Sequence, residues 1–334
     1  MEREARFWEP HDGRVQCHLC PHECVIADGK RGICGVRENR GGTLISLIYA
    51  SCSSVTPDPI EKKPLYHFHP GSSALSLGTV GCNLRCLHCQ NFTISQADPD
   101  EHRMMELPPE QAVETAKRQG CQGIAYTYNE PSIWWEYTHD SAKLAKQAGL
   151  YTAYVTNGYT SSRAIREIAP YLDAANVDVK SMSDSFYREI CGARLQPVLD
   201  ACTTYRDEGV HLELTYLVIP GHNGGGEDIE AFSSWVRDEL DDETPIHFSA
   251  FYPAHEMTDV PRTTRQQLLD AYDIAKETGI RYVYLGNVPH GDYENTYCPQ
   301  CNELLIERHG FTAQIVGLDG TACKNCGEEI PVVR

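Results

Sequence analysis

Ala74-Leu75-Ser76-Leu77-Gly78-Thr79-Val80-Gly81-Cys82-Asn83-Leu84-Arg85-Cys86-Leu87-His88-Cys89-Gln90-Asn91 joins a strand-like apolar run to three cysteines at C-x3-C-x2-C spacing. Thiolates suit iron–sulfur clusters, and a cube-shaped cluster held by protein alone takes four of them. The loop offers three within eight residues. One iron is then left free to bind something else. A closed structural zinc site also wants a fourth ligand, and three cysteines this close are hard to explain as packing.

The chain of 334 residues is long enough for one large α/β domain with small appendages. Its 41% apolar content fits a sizeable core, and its formal charge of −18 argues against a general nucleic-acid binder. No apolar run approaches the ~20 residues that span a membrane. The start, Met1-Glu2-Arg3-Glu4-Ala5-Arg6, lacks the apolar core of a signal peptide, so a cytoplasmic location is expected. Fifteen cysteines in such a chain point to metal and redox chemistry rather than disulfides. Eleven fall in groups at 17–34, 82–89 and 298–326; Cys52, Cys121, Cys191 and Cys202 stand alone and read as ordinary thiols.

Cys17, Cys20, Cys24 and Cys34 follow C-x2-C-x3-C-x9-C spacing, which can close a zinc site or hold a second iron–sulfur cluster. Cys298, Cys301, Cys323 and Cys326 form two C-x2-C knuckles and read as a zinc ribbon. Too short to bury a core, that tail must draw folding energy from its metal. The expected domains are therefore 1–72, a four-cysteine segment with a β-rich lead-in; 73–290, an α/β domain; and 291–334, a zinc-ribbon-like module.

From residue 74 strands and helices alternate. Strands are expected at 74–79, 123–128, 151–156, 175–180, 211–219, 246–251 and 281–286. Helices are expected near 108–119, 132–148, 161–169, 197–208, 227–240 and 263–279. Gly120, Gly149, Gly209 and Gly279 stand as C-terminal caps. The pattern means a parallel sheet with crossover helices, either an open doubly wound sheet or a barrel. Upstream, 44–49 reads as a strand. Asp58-Pro59-Ile60-Glu61-Lys62-Lys63-Pro64-Leu65 reads as an ordered loop that lines a site or merely connects, since its prolines disfavour helix and central strand.

Parallel sheets place their chemistry at the carboxyl ends of strands. Those ends carry Asn129-Glu130-Pro131, Thr156-Asn157-Gly158, Asp178-Val179-Lys180, Val218-Ile219-Pro220 and Leu285-Gly286-Asn287-Val288. Each also has a structural reading: Asn129 as a helix cap, Asn157-Gly158 as a turn, Asp178 and Lys180 as an ion pair on one strand face.

The cysteine loop and its surroundings resemble the radical S-adenosylmethionine (SAM) superfamily. The full chain resembles the radical SAM member of the AmmeMemoRadiSam system, a relative of pyruvate formate-lyase activating enzymes. The resemblance implies a partial (βα)6 TIM-like barrel and a [4Fe-4S] cluster on Cys82, Cys86 and Cys89. It implies SAM on the open iron, an external one-electron donor and hydrogen abstraction by a 5′-deoxyadenosyl radical. Memo-like and AMMECR-type proteins follow as partners, with no nucleic acid and no membrane. It further implies cofactor contacts from His88, Asn129, Glu130, Thr156, Asn157, Asp178 and Lys180, and strand-end position adds Val218 or Ile219 as an apolar contact for adenine. Tyr128 and Asn129 depart from the superfamily, standing where it has two glycines, which puts a glycine-like turn in doubt.

Overall fold

Seven of the apolar runs become parallel strands, because each is buried on both faces and flanked by helices. The computed structural model describes residues 1–287 and 291–334. Its main sheet consists of β1 (Ser54–Pro59), β2 (Ser73–Gly78), β3 (Gly123–Tyr126), β4 (Tyr151–Thr156), β5 (Ala174–Asp178), β6 (His211–Val218), β7 (Ile246–Ala250) and β8 (Val283–Gly286). Spatial order follows chain order; β2 to β8 are parallel, and β1 is antiparallel to β2. Val288, expected just beyond β8, lies outside the described residues.

The crossover helices are Pro109–Arg118, Trp135–Gln147, Ser162–Ile168, Gln196–Asp207, Gly226–Trp235 and Arg265–Thr278. The last begins on a Thr264–Gln267 capping box and ends at Gly279 with φ +105°. Among the described residues no helix is long and apolar enough to cross a membrane.

The segment read as a loop before β2 is in part a strand. Pro57 pairs with Leu75 and Pro59 with Ser73 on the outer edge of the sheet, where a missing N–H costs no ladder bond. Among the described residues β1 and β8 do not pair, so the sheet is open. Yet Lys62 and Lys63, beyond β1, and Asn287, beyond β8, line one cavity, so the sheet curls around it.

Residues 63–68 cross beneath that curl. Asn176 Nδ2 on β5 donates to Pro64 O at 2.7 Å. The wholly buried carboxylate of Glu213 on β6 accepts from the N–H groups of Tyr66 (2.9 Å) and His67 (2.7 Å) and from His211 (3.0 Å) and His247 (2.7 Å). Burial alone would raise the Glu213 pKa, but the two imidazoles outweigh it and hold the carboxyl well below its ordinary value. A carboxyl depressed on folding contributes stability above its unfolded value of 4.5 that is lost as pH falls below it. Glu213→Gln is therefore expected to cost about 3 kcal/mol or more at neutral pH and to flatten the acid limb of stability. Denaturant unfolding across pH checks this; a variant with the wild-type acid slope would count against it.

The N-terminal segment has no core of its own. Ala5, Phe7, Val15, Cys17, Leu19 and Ile26 join the same buried cluster as the sheet and its helices. The tail packs Leu305, Ile306, Leu318, Ile330 and Val332 against Tyr66, Tyr282 and Tyr284 beneath the sheet. Arg308, almost fully buried, donates to Tyr66 O (2.7 Å), Glu294 O (2.9 Å) and Thr296 Oγ1 (2.8 Å), and Val333 N donates to His67 O (2.8 Å).

Candidate functional site

The cysteine loop leaves β2 through Gly81, at φ +85°. A Cβ there would lie 2.6 Å from Val36 Cγ1 and 2.7 Å from the Cys34 carbonyl oxygen, so only glycine fits. Gly81→Ala is expected to destabilise the chain by about 2–4 kcal/mol and to lower its bound iron after reconstitution. Gly221→Ala is the control: its φ is also positive, at +77°, but nothing lies within 4 Å of its added Cβ. It should show only the backbone strain. Equal effects of the two substitutions in thermal unfolding and iron analysis would refute the packing argument.

The loop is held from outside itself. Arg85 N donates to Cys191 O and Leu87 N to Ile190 O, both at 2.9 Å. Asn83 Nδ2 donates to Tyr159 O at 2.7 Å. Asn157 Nδ2 reaches Asn83 Oδ1 at 2.9 Å and Cys82 Sγ at 3.6 Å. The Cys89 sulfur lies 3.1 Å from Ser95 Oγ.

So held, Cys82, Cys86 and Cys89 line one cavity of about 400 Å³ at the carboxyl end of the sheet, a size suited to a small ligand. No other cysteine lines it. Cys191, read as an ordinary thiol, is fully buried, shares a hydrogen bond with Cys86 and does not line the cavity. Among the described residues only the tail cysteines bring three or more ligand atoms within 4.8 Å of one another. The three loop sulfurs stand wider. That suits a four-iron cube, in which each sulfur binds a different iron, and not a single tetrahedral ion.

His88, Asn129, Glu130, Thr156, Asn157, Asp178 and Lys180 all line the cavity. Their polar atoms differ in availability. Asn129 is no helix cap: it accepts from Thr79 N (3.1 Å) and donates to Gly81 O (2.9 Å), clamping the root of the loop. Glu130 is the cap. Its buried carboxylate accepts from Ser132 N (2.9 Å), Thr156 Oγ1 (2.7 Å) and Asn157 N (2.8 Å), while burial pushes its pKa up. The side-chain polar atoms of Asn129, Glu130 and Asn157 are thus engaged by partners within the protein. Lys180 donates to Asp178 Oδ2 at 2.6 Å. Burial opposes its charge, but Asp178 and the Cys86 thiol together hold its pKa up. The His88 imidazole is buried and its Nδ1 has no partner. Burial, with Lys180 and His222 nearby, pushes its pKa down to about 3, so it is neutral near pH 7.

Val218 does not line the cavity; Thr215 and Leu217 do. Period-two alternation aims odd-numbered residues of β6 inward and turns Val218 outward, where it packs against Gly224. Tyr128 supplies another correction. It adopts φ +76°, so the glycine-like turn survives without glycine, at about 1–2 kcal/mol of strain. Its hydroxyl donates to Asp58 Oδ2 at 2.5 Å, and its ring lies under Lys63 Nζ at 4.8 Å. Asp58 also accepts from Lys62 and Lys63, each at 2.8 Å. Burial would raise Asp58, yet these partners hold it well below the carboxylate range, while burial pushes Lys63 down to about 8. Sequence reading flagged this lysine-bearing stretch but not its approach from beneath the sheet.

The tail cysteines fit zinc. Cys298 and Cys326 sulfurs are 3.5 Å apart, and those of Cys301 and Cys323 are 3.7 Å apart. A tetrahedral ion with bonds of about 2.3 Å sets its sulfurs about 3.8 Å apart.

Comparison with known proteins agrees with this architecture. Residues 76–236 match the radical SAM superfamily. The chain is 46% identical over 334 residues to an uncharacterized protein of Methanocaldococcus jannaschii, covering 99% of each. It is 22% identical over 166 residues to the pyruvate formate-lyase 1-activating enzyme of Escherichia coli, covering 47% of this chain and 66% of that protein. In fold it is similar to a radical SAM methyltransferase from Sphaerobacter thermophilus, at TM-score 0.51 and 15% identity over 71% of each chain. With three cavity-lining thiols at the end of β2 and a relative alike from end to end, the chain belongs to the radical SAM superfamily and is related to pyruvate formate-lyase activating enzymes.

Proposed function

We propose that this chain cleaves SAM reductively and uses the resulting 5′-deoxyadenosyl radical to abstract hydrogen from a protein or small-molecule substrate. The carrying observation is that Cys82, Cys86 and Cys89 line one cavity with no fourth thiol in its wall. Cys82, Cys86 and Cys89 would hold a [4Fe-4S] cluster there, which would supply a binding place for SAM and, with an external one-electron donor, the electron for its reductive cleavage. The chain's own residues bind and orient. Asp178 and Lys180 offer both charges to the methionine zwitterion. His88, neutral and with Nδ1 unpartnered, offers a hydrogen bond or a ring face to the nucleoside.

The activating-enzyme relatives support a second reading, in which the hydrogen comes from a glycine of a partner protein. The resemblance to the AmmeMemoRadiSam system makes Memo-like and AMMECR-type proteins the first partners to try, and the tail is assigned zinc. The test is anaerobic reconstitution with dithionite and SAM. Release of 5′-deoxyadenosine is expected, and co-expressed neighbouring proteins should change mass only with the intact cluster. A cluster that forms without SAM cleavage, even with those partners present, would instead mark a metal-binding scaffold.

A further inference from the structure

Cys17, Cys20, Cys24 and Cys34 line a second, smaller cavity behind the cysteine loop, together with apolar Leu19, Ile26 and Ile133 and polar His22 and Arg37. Two features favour a cluster over zinc there. The four sulfurs are not gathered as those of the tail are, since among the described residues only the tail set brings three or more ligand atoms within 4.8 Å. Second, Arg37 lines the same cavity fully buried, with its Nε–H unpartnered. A buried donor without an acceptor is costly, and cluster sulfides supply acceptors.

This centre abuts the cavity loop. The Cys34 carbonyl packs against Gly81, next to Cys82. His22 Nε2 donates to Asn83 O at 2.7 Å, and Arg85 Nη2 donates to Ile33 O at 2.5 Å. We propose that Cys17, Cys20, Cys24 and Cys34 hold a second iron–sulfur cluster and that it is the electron entry port to the Cys82–Cys89 loop. One electron from a low-potential one-electron donor reduces this centre and passes on to the loop, leaving the centre reoxidised; no bond is made or broken. The identity of the centre is independent of the proposed function, whereas its role as a port rests on it.

Identity is read from the full chain carrying Cys82→Ala, Cys86→Ala and Cys89→Ala, reconstituted anaerobically with iron and sulfide. The expected result is about half the wild-type iron and sulfide, a visible sulfur-to-iron charge-transfer band, and a reduced-state EPR signal unmoved by SAM. A folded triple variant with no such band and zinc in its place overturns the cluster. The port is read from the rate of SAM cleavage with reduced flavodoxin divided by the rate with dithionite. Cys20→Ser with Cys34→Ser should lower that ratio at least about tenfold. His22→Ala, which keeps all four thiols, should lower it about threefold and serves if the double variant does not fold. A ratio unmoved by the folded variants overturns the port. Wild type that cleaves no SAM would sink the proposed function, and with it the port, but leave the triple-variant result standing.

Discussion

Cys89→Ala is expected to abolish SAM cleavage, a loss of ~10³-fold or more, while Cys191→Ala is expected to spare it within about twofold. The contrast follows from where the two thiols point. Cys89 lines the cavity, and its nearest polar neighbour, Ser95 Oγ, already donates to Asn91 O at 2.9 Å. No other thiol lines the cavity to take its place as a ligand. Cys191 lies behind Cys86, fully buried and outside the cavity wall. Its truncation leaves a small void, costing about 1–2 kcal/mol of stability rather than the cluster. Iron content, the charge-transfer band and 5′-deoxyadenosine release check both variants. If Cys191→Ala loses the cluster, a fourth thiol holds the metal and the open iron disappears from the account.

Stripping metal from the tail is expected to unfold residues 291–334 while the main sheet stays folded. A structural zinc bound by four thiolates contributes on the order of 10–16 kcal/mol to such a module. The tail's apolar residues are few, and they share one buried cluster with Tyr66, Tyr282 and Tyr284 from outside the tail. Its loss would also break the Arg308 bond to Tyr66 O and the Val333 bond to His67 O. Hydrogen exchange should therefore rise at 64–68 as well as through the tail. Most of the sheet and its helices belong to other buried clusters and should remain protected. Chelator treatment, or Cys298→Ser with Cys326→Ser, followed by metal analysis and exchange mass spectrometry makes the measurement. Unchanged exchange across 298–326 in metal-free protein would refute it.

The parallel strands and crossover helices were legible because their signals are local. Both-face burial leaves apolar runs, and Gly120, Gly149, Gly209 and Gly279 mark the helix ends with positive φ. Strand β1 was hidden by Pro57 and Pro59, which read as breakers until the strand is seen to lie at an edge. The register of β6 was equally unreadable. Apolar Leu217 and Val218 look alike, and only pairing with β5 and β7 decides which faces inward.

The sequence by itself determined the cysteine loop after β2, the other two cysteine groups and the strand ends that surround the cavity, because ligand spacing and periodicity are properties of short stretches. Only the tertiary structure decided which polar groups remain free to meet a ligand. Asn129, Glu130 and Asn157 are spent on backbone and side chains far along the chain or on helix capping, while His88 Nδ1 is left without a partner. Whether a buried donor or acceptor is satisfied depends on groups brought together by folding, and no local pattern encodes that.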